Sequence, residues 1–212
     1  MSDVDKVCEA LLRTFPSAPP PSPPAWEVPV LNVLDCVLSL NRRYDAFVVP
    51  RVRRFRDTHP EVRWLSELRR ILDAFPTLLD FSKVELDYDD AARAVVLSQV
   101  VDFLLDAQRD FPGGTETDRL RAWAIDARPG DYAFTGIKGF GIAGFQYLRM
   151  LFGANTAKPD VHIRRFVEEA IGRASNDLEA LYLLQRAAAR LRFNLLDVDA
   201  SVWEKRARPS GA

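Results

Sequence analysis

Cysteine is nearly missing from this chain. The 212 residues contain two, Cys8 and Cys36, too few for a disulfide framework or a four-cysteine metal site. Both fall in apolar helical patterns that suit buried thiols. No apolar run is long enough to span a bilayer, so no membrane partner is expected. Met1 to Lys6 is acidic and no apolar leader follows, so no signal peptide is expected and a cytoplasmic location fits. A dominant charge is missing too. The formal net charge is −1, which leaves no global basic field of the kind strong non-specific nucleic-acid binders carry. Strand signals are poor almost throughout.

What is present is helical periodicity. With 48% hydrophobic residues the chain can bury a real core, and its length suits one large domain or two small lobes. The pattern predicts an all-α protein of about ten helices. The first covers Asp3 to Thr14. Phe15 to Pro29, with its Pro-Pro-Pro-Ser-Pro-Pro centre, cannot be helical and reads as an extended linker or arm. Residues 1–29 are therefore set apart from a main body, 30–212. Further helices are expected over Val30–Leu40, Ala46–Arg56, Trp64–Asp73, Leu78–Leu86, Asp89–Phe111 and Thr115–Ala127. Gly130–Ile137, Ile142–Phe152, Ile163–Arg173, Asp177–Leu191 and Phe193–Arg206 complete the set. Local basic clusters at Arg42-Arg43, Arg51 to Arg56, Arg69-Arg70 and Arg164-Arg165 read more readily as solvated helix faces than as binding patches.

The densest chemistry lies between Thr135 and Phe166. Gly139 and Gly141 bracket Phe140, and glycine permits the positive φ and close approach of a tight hairpin. The helix from Ile142 would aim its free N-terminal amides out of that hairpin, with Lys138 adding a positive charge. Such a place suits a phosphate. Further along, Asp160 stands just ahead of a helix start that carries His162, Arg164 and Arg165. An aspartate there suits an N-cap as well as carboxylate chemistry. A phosphate grip followed by a lone carboxylate points to an enzyme that holds a nucleic-acid backbone and reacts beside it.

Lys138-Gly139-Phe140-Gly141 followed by Pro159-Asp160-Val161-His162-Ile163-Arg164-Arg165 resembles the helix-hairpin-helix DNA glycosylase superfamily, which includes endonuclease III and the 8-oxoguanine and alkylpurine glycosylases. Lys138 stands where that pattern has a hydrophobic residue. The resemblance implies two helical lobes, one formed by the middle helices up to about residue 155 and one by the two termini packed together. A DNA-binding cleft would lie between them, and the partner would be double-stranded DNA with a flipped base. Asp160 would be the catalytic carboxylate, stabilising positive charge on the deoxyribose and orienting water.

Lys138, Gly139, Gly141 and Ile142 would hold the DNA backbone, and His162 a phosphate. Leu38-Ser39-Leu40-Asn41 resembles the family's segment whose amide side chain fills the hole left by the flipped base. Asn41 is thus a candidate wedge, with Arg42 beside it as a DNA contact. Asn41 equally suits a helix terminator. Tyr132 and Phe134, just ahead of the hairpin, are the favoured aromatics for a base pocket. The family's lyase lysine falls on Ala143, so a monofunctional enzyme of base excision repair is implied, with water as nucleophile. No cysteine lies in the C-terminal half, so the family's iron–sulfur loop is not expected, and neither is any other metal or cofactor. A monomer is expected, nucleoid-associated or nuclear according to the cell. Two other readings stand beside this one: a catalytically inactive helix-hairpin-helix DNA-binding module, and a helical protein-interaction domain tethered by the proline-rich arm.

Overall fold

The computed structural model describes residues 1–207, and these are helical with no strand among them. The helices are α1 (Asp3–Thr14), α2 (Pro29–Leu38), α3 (Val49–Thr58), α4 (Leu65–Ala74), α5 (Leu78–Leu86) and α6 (Ala91–Ala107). They continue as α7 (Glu116–Asp126), α8 (Ile142–Leu151), α9 (Val161–Ile171), α10 (Asp177–Leu191) and α11 (Leu195–Ala207).

Local chemistry sets most of the boundaries. Thr115 accepts the backbone N–H of Asp118 while the Asp118 side chain accepts that of Thr115, which starts α7. Asp90, Thr77 and Asn176 cap α6, α5 and α10 by accepting the backbone N–H three residues on. Gly172, at φ +78°, ends α9.

The structure departs from the periodicity at a few places. Gly130–Ile137 is not a helix. A short 3-10 turn over Pro129–Phe134 replaces it, because Gly136 takes φ +67° and the chain turns before a helical register is set. The segment after α2 begins with a wide π turn over Tyr44–Val48. Pro50 then sits in the first turn of α3, where its missing N–H costs nothing.

Apolar side chains gather into two cores. Residues between Val28 and Ala154 build the first, centred on α2, α6 and α8, with Leu34, Val100, Phe145 and Leu148 at its heart. The second joins the two ends of the described chain: Val7 and Leu11 of α1 pack with Ile163, Val167, Leu181, Leu184, Val198 and Val202. The proline-rich arm runs between the cores and is laid against the protein. Ser22 donates its N–H to Asp197 at 2.7 Å, and Trp26 donates its indole N–H to Asp35 at 2.7 Å. No described helix is long and apolar enough to cross a membrane.

Candidate functional site

The hairpin forms as its glycines require. Gly139 takes φ +85°, Phe140 donates its N–H to the Ile137 carbonyl at 3.1 Å, and Gly141 opens α8. Ile137, Phe140 and Ile142 point inward, while Lys138, Gly139 and Gly141 are exposed. No side chain caps α8, so its leading amides face outward from an apolar anchor. That anchor depends on a third glycine. A Cβ on Gly144 would lie 2.8 Å from Phe140 Cε2 and 3.0 Å from Leu40 Cδ2. The missing side chain lets the Phe140 ring and α2 lie directly on α8. Ala143, in the first turn of α8, is half-buried.

Asp160 is the N-cap of α9, which begins at Val161. Its Oδ1 accepts the N–H of His162 at 2.8 Å and of Ile163 at 3.2 Å. Among the described residues its Oδ2 accepts no hydrogen bond. The loop that delivers it from α8 is fixed by buried polar groups. The fully buried amide of Gln146 accepts from Arg149 and from the Thr156 hydroxyl, both at 2.9 Å, and Arg149 also donates to the Ala124 carbonyl at 3.0 Å. Burial lowers the pKa of Arg149. Asn155 caps α11 by accepting the N–H of Leu195 at 2.9 Å.

Periodicity did not single out the groups that surround this loop. Asp35, inside α2, is buried and accepts from three side chains: Trp26 Nε1 at 2.7 Å, Tyr44 OH at 2.6 Å and Tyr147 OH at 2.8 Å. Burial raises its pKa, and these donors offset only part of that. Burial also raises the Tyr44 and Tyr147 hydroxyls, with the Asp35 charge adding to it. Lys158 places its ammonium 4.4 Å from the Tyr147 ring centre. Asp199, on α11, accepts the Lys158 N–H at 2.8 Å. Its pKa is pushed up to about 7, first by burial and then by the Asp160 charge. Trp203, four residues on, meets Tyr44 edge-on at 6.0 Å. Trp26, Asp35, Tyr44 and Tyr147 therefore come from the first core's side. Lys158, Asp160, Asp199 and Trp203 come from the second, and together they line a polar and aromatic seam. The readable signal was an acidic residue inside the apolar run Val30–Leu40, and an Asp and a Trp spaced four apart near the C-terminus.

The remaining candidates are dispersed. His162 is half-buried, and its ring makes no hydrogen bond among the described residues. Asn41 is exposed at φ +58°, a left-handed conformation that asparagine tolerates, just past the end of α2. Arg42 is engaged with the protein: it donates to Tyr88 OH at 2.9 Å, lies 3.7 Å from Asp90 and stacks over Phe47. Arg164 pairs with Asp177 at 3.1 Å, whereas Arg165 is exposed with no ion pair among the described residues. Tyr132 is half-buried against the first core, and Phe134 is 87% exposed. No group of three or more His, Cys, Asp or Glu among the described residues could hold a metal ion.

A family model described as a domain of unknown function (DUF8548) matches residues 120–207. That span runs from α7 to α11 and contains the hairpin, Asp160 and Asp199. No curated protein and no solved structure matches the chain.

Proposed function

We propose that the protein is a monofunctional DNA glycosylase of base excision repair, acting on double-stranded DNA with a damaged or modified base flipped out. The observation that carries this reading is the state of Asp160. One of its oxygens is spent on the amides of α9 while the other accepts no hydrogen bond among the described residues, at the seam between the two cores and downstream of a hairpin helix with no side-chain cap. The two cores would be the lobes and the seam the floor of the DNA cleft.

Hydrolysis of an N-glycosidic bond breaks the C1′–N bond, with the electron pair leaving on the base. Positive charge builds on the sugar, where the free oxygen of Asp160 would stabilise it and orient the attacking water. The α8 amides and Lys138 would hold a phosphate of the same strand. Ala143 offers no amine, so the product is an abasic site in an uncut strand. Asn41, exposed on its left-handed turn, would enter the duplex.

One observation favours a second reading. Tyr44 and Trp203 touch across the seam, and a seam shut in this way suits a catalytically inactive helix-hairpin-helix module that binds DNA without opening. A panel of duplexes carrying uracil, 8-oxoguanine, alkylated purines and modified pyrimidines separates the two. Strand breaks that need alkali, and that vanish in Asp160→Asn, support the enzyme. Salt-sensitive binding without release of any base supports the module.

A further inference from the structure

The proline-rich arm takes no part in the chemistry at Asp160. Every residue from Ala18 to Pro24 is either a proline or the residue before one. The pyrrolidine ring fixes φ near about −65°, and a residue ahead of proline is pushed to extended ψ. Together these select a polyproline II helix, with three residues per turn. Burial follows that period. Pro19 is buried and Ser22, one turn on, is half-buried, whereas Pro20, Pro21, Pro23 and Pro24 are exposed. The inner edge is pinned to the protein. Ser22 donates its N–H to Asp197 of α11 at 2.7 Å. Trp26 donates its backbone N–H to Asn32 at 2.9 Å and its indole N–H to Asp35 at 2.7 Å. The outer edge is a ridge of proline rings.

We infer that this ridge is a docking site for a partner protein with an aromatic-lined groove, which reads two Pro-Pro steps, Pro20-Pro21 and Pro23-Pro24. The steps stand one turn apart, about 9 Å along the ridge. Each position of the first step therefore projects on the same side as its equivalent in the second, the Pro-x-x-Pro arrangement that aromatic grooves accept. Proline rings pack against aromatic faces, and the backbone between them offers carbonyls to indole or phenol donors. From Pro19 to Pro24 the only backbone N–H is that of Ser22, and Asp197 already holds it. A groove closing over the ridge thus strands no amide. A ligand held in its bound conformation beforehand also loses little entropy on docking. Pro16 to Ala25 carry no charged side chain, so nothing there would grip a phosphate backbone, and the partner is a protein rather than a nucleic acid.

The test is binding of the whole folded protein to fluorescently labelled SH3 and WW domains, which carry such grooves, followed by anisotropy. Wild type is compared with Pro20→Ala/Pro23→Ala and with Pro21→Ala/Pro24→Ala. All four prolines are exposed, and circular dichroism with Trp fluorescence checks that the fold and the Trp26 anchor survive. The expected result is that at least one of the domains binds wild type, and that each double variant binds at least about tenfold more weakly. No binding by either kind of domain up to about millimolar concentration would overturn the assignment. So would binding that survives both double variants, or binding seen only after the protein is unfolded in urea. Self-association of wild type that is lost in the variants would give the ridge to a second copy of this chain instead. None of these outcomes depends on whether a base is excised, so the assignment and the glycosylase reading stand or fall separately.

Discussion

Asp199 accepts the backbone N–H of Lys158 at 2.8 Å, and this single bond ties α11 to the loop that presents Asp160. The buried carboxylate of Asp199 and the half-buried one of Asp160 thus share a short stretch of chain and repel each other through it.

Burial, together with that repulsion, gives Asp199 a signature in the stability of the fold. An unfolded aspartate ionises near about pH 4, whereas Asp199 keeps its proton to about pH 7 under burial and the Asp160 charge, with Lys158 opposing them. Below both values the group is protonated in both states and contributes nothing. As pH rises between them, the unfolded chain releases the proton first and the fold loses stability. Above the folded value the loss is constant. Thermal unfolding of Asp199→Asn beside wild type is expected to show an advantage for the variant that opens from about pH 4 to about pH 7 and then levels, at most about 4 kcal/mol. An advantage that did not change with pH would mean that Asp199 is ionised throughout.

Capping and chemistry can be separated at Asp160. Asparagine is as good an N-cap as aspartate, so Asp160→Asn should unfold within a few tenths of a kcal/mol of wild type while base excision falls by about 100-fold or more. Asp160→Ala should lose the cap as well, about 1 kcal/mol. Urea melts and single-turnover excision on one substrate measure both quantities. Equal activity in Asp160→Asn and wild type would reduce the residue to a cap.

Asp35 holds three donors that would otherwise be stranded. Asp35→Ala leaves Trp26, Tyr44 and Tyr147 without their acceptor and should cost about 3 kcal/mol or more. The loss should be visible as a lower urea midpoint and an altered Trp fluorescence spectrum. A change below about 1 kcal/mol would mean that water replaces the carboxylate readily.

Gly144→Ala should destabilise by about 1–3 kcal/mol despite alanine's better helix propensity. The new methyl would meet the Phe140 ring at 2.8 Å and push the hairpin off α8. Because the hairpin carries the proposed phosphate grip, DNA affinity at low salt should fall with stability. Fluorescence anisotropy on a duplex, alongside a thermal melt, checks whether the two losses travel together.

The helices were legible because their apolar residues recur at helical spacing and their caps are Ser, Thr, Asp and Asn in the expected places. Hairpin and Asp160 were legible because glycine pairs and a capping aspartate are local signals. Gly130–Ile137 was misread as helix because composition there is neutral, and the decision rests on the backbone of Gly136. The grouping of Asp35, Lys158 and Asp199 was not legible for a different reason. They are far apart in sequence, and only the folding of α2, the α8–α9 loop and α11 onto one another brings them to one seam. Gly144 escaped notice because its role is defined by the folded positions of the Phe140 ring and of the distant Leu40 side chain.

The two cores also differ in when they can exist during synthesis. Residues of the first run without interruption from Val28 to Ala154, and it can close as soon as α8 has left the ribosome. The second draws Val7 and Leu11 from the start of the described chain and Val198 and Val202 from near its end. The apolar stripe of α1 must therefore wait, exposed, until α11 has been translated.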